Sequence, residues 1–150
     1  MRMIALLALA LAACAQPQQS APPSTSAPQS ELAQRIRADL NRLDAELAAP
    51  DIVATGINES ADLGGGMSVR VTELIEDSRC PANVTCIWAG RLRVRAVISG
   101  AGERELTLGE PAHVNGREIL LAVAKPSPWS DWPTPELGPA PAYRFGFRRA

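Results

Sequence analysis

The side chains that could do chemistry in this chain are few: three cysteines, one histidine and scattered carboxylates among 150 residues. Cys80 and Cys86 enclose Pro81, Ala82, Asn83, Val84 and Thr85. A dithiol redox site of the thioredoxin type holds two residues between its sulfurs, and five stand here, so the spacing favours a structural disulfide over a redox pair. Turn-forming residues fill the interval and apolar alternation resumes on both sides, which predicts a short bridged loop joining two strands. Any Ser-His-Asp or Cys-His arrangement would depend on His113, which lies just ahead of an Asn115-Gly116 turn and reads as solvated. The sequence has no His/Cys cluster at zinc or copper spacing, no phosphate loop and no dinucleotide fingerprint. Glu73, Glu76 and Asp77 gather near one predicted strand end and could hold calcium weakly, but an ordinary solvated edge is the favoured reading. The expectation is a protein with no catalytic residue, no resident metal and no cofactor.

Charge sets a second bound. The formal net charge is -1, so no basic excess is available to neutralise phosphates, and nucleic acid is not an expected partner. The third cysteine, Cys14, follows a short positive start (Met1-Arg2-Met3) and an apolar run over 4–11 that is too short to span a bilayer. Leu11-Ala12-Ala13-Cys14 resembles the lipobox of bacterial lipoproteins. That resemblance implies removal of a signal peptide at 1–13 and acylation of Cys14, which would partner the membrane through lipid. Each buried methylene contributes about 0.8 kcal/mol, so two or three acyl chains hold a protein stably where one does not. Ala15 stands where aspartate would favour inner-membrane retention, and by resemblance to enterobacterial sorting this favours the periplasmic leaflet of the outer membrane.

These residues need elements to position them. Segment 14–30 is uncharged and built from Gln, Pro, Ser, Ala and Thr, the composition of a disordered tether. Ser30 then reads as an N-cap, Glu31 suits a first turn and Pro50 closes the segment, predicting an amphipathic helix over 31–49. Ala33, Ile36, Leu40, Leu43 and Leu47 form one apolar stripe. It is covered by the protein's own body, by a partner helix or by self-association, unless the helix stays mobile on the surface.

From 51 to 150 the period changes to two. A first strand is expected over 52–57, a loop or bulge over 61–66, and a strand with one buried face from Met67, Val69 and Val71. Leu92, Val94, Ala96 and Ile98 face opposite Arg91, Arg93 and Arg95, whose arginines read as a solvated strand face rather than an anion site. A three-residue loop at 99–101 would return Leu106 and Leu108 to the same apolar face and set Arg95 across from Glu105. The run over 119–123 is nearly all apolar, as in a strand buried on both faces or packed under the helix. The loop over 125–141 carries six prolines with Trp129 and Trp132, which serve either as contact residues for a partner or as a cap on the open end of the fold. Tyr143, Phe145 and Phe147 alternate in a final strand expected to close a sheet. The sum is a mainly β domain at 51–150: a small antiparallel β-sandwich of about six or seven strands, preferred over a closed barrel.

Asp77-Ser78-Arg79-Cys80-Pro81 with Val84, Cys86, Trp88 and Gly90, followed by Leu106-Thr107-Leu108-Gly109 and the closing Tyr143, Phe145 and Phe147, resembles a group of uncharacterised small bacterial lipoproteins. The likeness runs from Met67 to Phe147. It implies a secreted, disulfide-containing fold in the cell envelope and names no substrate. The expected function is a lipid-anchored, non-catalytic binding or structural module that meets an envelope protein through helix 31–49 or loop 125–141. The alternative is a sandwich-type inhibitor of an envelope or host hydrolase, with 82–85 and 129–135 as its wedge.

Overall fold

A computed structural model of the chain describes residues 30–132 and 134–148. The signal peptide, Cys14 and the tether expected before Ser30 lie outside the described residues. One helix, α1 (Glu31–Leu47), precedes eight strands: β1 (Ile52–Gly56), β2 (Ser60–Gly64), β3 (Met67–Asp77), β4 (Leu92–Ile98), β5 (Gly102–Thr107), β6 (Pro111–Val114), β7 (Arg117–Lys125) and β8 (Arg144–Arg148). They form two four-stranded antiparallel sheets, ordered β1-β8-β7-β6 and β2-β3-β4-β5. The inward side chains of both sheets build one core, in which Leu63, Val71, Val94, Phe145 and Phe147 are wholly buried. This is the predicted β-sandwich, with eight strands rather than six or seven.

The additional strand is β2, where the sequence pattern alone suggests a loop or bulge. Only Ala61 and Leu63 carry its inward face, too few residues to declare a period. Gly65 and Gly66, both at positive φ, turn the chain back so that Gly64 pairs with Met67, and a bulge interrupts the ladder between Asp62 and Gly64. The Asn115-Gly116 turn forms as its dipeptide requires, with φ of 51° and 75°, and joins β6 to β7. The β4–β5 register is also the one parity demanded: Ile98 faces Gly102 and Arg95 faces Glu105.

β8 does not close a sheet edge. It lies between β1 and β7, pairing with both, which accounts for the complete burial of Phe145 and Phe147.

Helix α1 lies on the outer face of the β1-β8-β7 sheet. Ser30 caps it, its hydroxyl accepting the Ala33 amide at 3.2 Å. Ala33, Ile36 and Leu43 are buried beneath it, so the apolar stripe is covered by the protein's own body. Burying Ile36 alone stabilises the contact by about 2–3 kcal/mol. Close approach depends on Gly146 of β8, where a Cβ would stand 3.0 Å from Leu47 Cδ2 and 2.8 Å from Ile52 Cγ2. Lys125 pairs with Asp44 at the helix flank. Among the described residues no helix is long and apolar enough to cross a membrane.

Candidate functional site

The segment over 78–91, between β3 and β4, carries three of the large apolar side chains that stand exposed among the described residues. Cys80 and Cys86 are bridged, with Cα atoms 5.9 Å apart. The base of the loop is laddered: Ser78 N donates to Arg91 O at 2.8 Å and Cys80 N to Ala89 O at 3.0 Å. Gly90, at φ 66°, allows the two legs to meet, since a Cβ there would fall 1.7 Å from Ser78 O.

Arg79 fixes this base to the opposite sheet. Its guanidinium grips Asp77 through two nitrogens, at 2.8 and 2.7 Å, and also donates to the carbonyls of Ala124 (3.1 Å) and Pro126 (2.7 Å), on either side of the cis Lys125–Pro126 peptide. Tyr143 donates its hydroxyl to the same Asp77 carboxylate at 2.7 Å. Burial pushes the Asp77 carboxyl upward, but the Arg79 and Tyr143 hydrogen bonds outweigh it and hold the group below its ordinary value. The Asp77–Arg79 pair within Asp77-Ser78-Arg79-Cys80 is therefore a structural hinge: planar, bidentate and largely removed from water.

The tip is braced sideways against the proline-rich loop after β7. Ala82 N donates to Pro128 O at 2.9 Å. Asn83 donates to Ser130 Oγ and Asp131 Oδ2, each at 2.8 Å, and accepts the Ser130 amide at 3.0 Å. On this braced backbone the large apolar side chains point to solvent. Ile87 is 94 % exposed, Trp88 82 % and Val84 45 %. Elsewhere among the described residues the other large apolar group exposed to a comparable degree is Ile57, at 40 %.

The predicted contact residues divide. Trp129 is 9 % exposed: its indole donates to Asp39 Oδ2 at 3.3 Å, and Arg35 lies over its ring at 5.7 Å. It joins the proline-rich loop to α1, so of the two readings of this residue the packing one describes its position. Trp132 is half-buried, donating to Gly138 O at 2.8 Å. The residues that reach solvent, Ile87 and Trp88, are not among those the sequence pattern marks for contact. Their signal was present: positions 81–90 contain no charged residue, and two adjacent bulky side chains cannot both turn inward from one strand.

The other candidates are dispersed. His113 is exposed on β6, opposite Glu118. Glu73 pairs with Arg95, Glu76 with Arg91 (3.0 Å) and Arg93 (3.5 Å), and Asp77 with Arg79. Arg95 also reaches Glu103 (3.4 Å) and Glu105 (3.8 Å), so the arginines of β4 form a charge lattice across the outer face of β3-β4-β5. Among the described residues no three His, Cys, Asp or Glu side chains gather as metal ligands. No protein-family model matches the chain, and no curated protein or solved structure matches it either.

Proposed function

We propose that this chain is a lipid-anchored protein of the bacterial cell envelope whose β-sandwich acts as a non-catalytic binding module, with the disulfide loop as its contact element. The observation that carries the reading is the pair Ile87 and Trp88. Exposed apolar side chains cost solubility unless something covers them, and here they stand on backbone immobilised by a disulfide, a bidentate arginine and a second loop. Immobilisation before contact reduces the entropy lost on binding, and tryptophan is among the side chains most enriched in binding hot spots.

The anchor rests on the sequence over 1–14, and Ala15 points to the periplasmic leaflet of the outer membrane. The test is acyl labelling in cells. Wild-type protein takes up labelled fatty acid and fractionates with membranes, whereas Cys14→Ser does neither; equal labelling of the variant rejects the anchor. A photocrosslinker replacing Ile87 tests the contact element, and no crosslinked species in living cells rejects it.

One observation favours a second reading. The Asn83 contacts to Ser130 and Asp131 join the disulfide loop to the proline-rich loop, bringing together the two segments that the wedge of a hydrolase inhibitor would need. Capture of one envelope or host hydrolase by the intact protein, lost in Trp88→Ala, would favour it over the more general module.

A further inference from the structure

We infer that the tip formed by Ile87 and Trp88 dips into the interfacial layer of the same phospholipid bilayer that holds Cys14, giving the protein a second, non-covalent membrane contact. This inference rests on the anchored-module reading above and names the partner of its contact element.

Two observations choose lipid over a protein groove or a second copy. The first is chemical. The stretch 81–90 carries no charged side chain of its own, so its entry into the headgroup layer desolvates none of its side chains as an ion, and its exposed apolar groups are aliphatic and indole. Indole is the side chain that settles at the membrane–water interface, where its ring is apolar and its N–H remains hydrated. Part of the loop backbone is already engaged: Cys80 N meets Ala89 O and Val84 N meets Pro81 O, and at headgroup depth the remaining amides keep water as a partner.

The second observation is where the anchor joins the body. The chain leading from Cys14 enters α1 at Ser30, and the first half of that helix rests on the proline-rich loop: Arg35 lies over the Trp129 ring at 5.7 Å and the Trp129 indole donates to Asp39 at 3.3 Å. The same loop accepts Ala82 at Pro128 and holds Asn83 through Ser130 and Asp131. The point of tethering and the apolar tip are therefore braced by one loop at one end of the sandwich. Sixteen residue steps separate Cys14 from Ser30, a reach of no more than about 60 Å when fully extended. Within that radius a contact too weak to recruit a free protein becomes intramolecular and is populated by its high effective concentration.

The test uses the chain from Cys14 onward, which retains every described residue. With Cys80 and Cys86 oxidised, Cys14 is its single thiol. It is coupled through that thiol to a maleimide lipid in mixed zwitterionic and anionic vesicles, prepared with or without bromine on the acyl chains. The Trp88 contribution is the difference in emission between wild type and Trp88→Phe. The expected result is that this contribution falls at least twofold on brominated vesicles, and that Ile87→Ser abolishes most of the fall. An equal Trp88 contribution on both vesicle types overturns the inference. Protection of Trp88 from a water-soluble quencher without bromine quenching also overturns it, and identifies a second copy as the occupant. Because the coupling supplies the anchor chemically, this outcome is independent of acylation in cells. Failure of acyl labelling therefore rejects the anchor without mimicking a failure of bilayer contact.

Discussion

Tyr143, immediately before β8, donates its hydroxyl at 2.7 Å to Asp77, the last residue of β3, across 66 positions of sequence. The bond ties one sheet to the other directly beneath the disulfide loop. It also places a phenol against a carboxylate that Arg79 already holds, so three side chains share one proton-and-charge arrangement whose strength depends on pH.

That dependence can be read in alkali. Burial first, and then the hydrogen bond to Asp77, push the Tyr143 phenol up to about 12, against a usual value of about 10. The folded value is the higher one, so the stabilisation is complete below the unfolded value and is lost as pH rises through about 12. The chain has one tyrosine, so its phenolate absorbance reports this group alone. Tyr143→Phe is expected to lower stability at neutral pH by about 1.5–2 kcal/mol, the scale of a hydrogen bond to a charged group, and to flatten stability over the alkaline window. On the acid side the Asp77 carboxyl, held below its ordinary value, stabilises the fold above the unfolded carboxylate range, and that contribution is lost as pH falls through its folded value. Removing the phenol should therefore move acid unfolding to higher pH. Denaturant midpoints measured across pH check both limbs, and an unchanged alkaline limb would contradict the assigned role of Tyr143.

Arg79 provides the second prediction. The side chains of Arg79 and Asp77 are 15 % and 9 % exposed, so truncating the arginine strands a carboxylate and two carbonyls together. Arg79→Ala is expected to cost about 3–5 kcal/mol. Arg79→Lys keeps the charge but cannot span Asp77, Ala124 and Pro126 at once, and should recover only part of the loss. Equilibrium unfolding separates the cases. Equal stability of lysine variant and wild type would mean that charge alone, not the planar fork, holds the hinge.

Local chemistry in the sequence was enough to place the helix, the bridge and the β4–β5 register, because each depends on neighbours in the chain. Ser30 caps the turn directly after it, and Cys80 and Cys86 are close in sequence. A three-residue loop leaves a single parity for Arg95 and Glu105. The features hidden from sequence depend on long-range placement. The insertion of β8 between β1 and β7 is a property of strand order, which period-two alternation does not encode. Trp129 is buried because α1 returns over its loop, 90 residues away from Asp39 in sequence. The placement of the loop that carries Ile87 and Trp88 depends on Arg79 reaching carbonyls 45 and 47 positions further on, contacts that no window around the motif contains.

The Cys80–Cys86 bridge separates stability from presentation, and this gives the third prediction. Chain entropy assigns a seven-residue closure only about 2.4 kcal/mol, while the Arg79 clamp and the Ser78–Arg91 ladder lie below the bridge and do not require it. Cys80→Ser with Cys86→Ser should therefore leave a folded sandwich, with its denaturation midpoint lowered by that modest amount. The tip should behave differently. Without the bridge, the Cys80 amide bonded to Ala89 O loses the constraint that keeps the two legs together, and its hydrogen exchange should accelerate far more than that of core amides in β3 and β4. Any function carried by Ile87 and Trp88 should weaken in proportion to that local opening, because freed side chains must be ordered again on contact. Native-state exchange measured alongside the unfolding curve tests this. Acceleration of core and tip amides by the same factor would mean that the bridge supports the whole fold rather than its presenting loop.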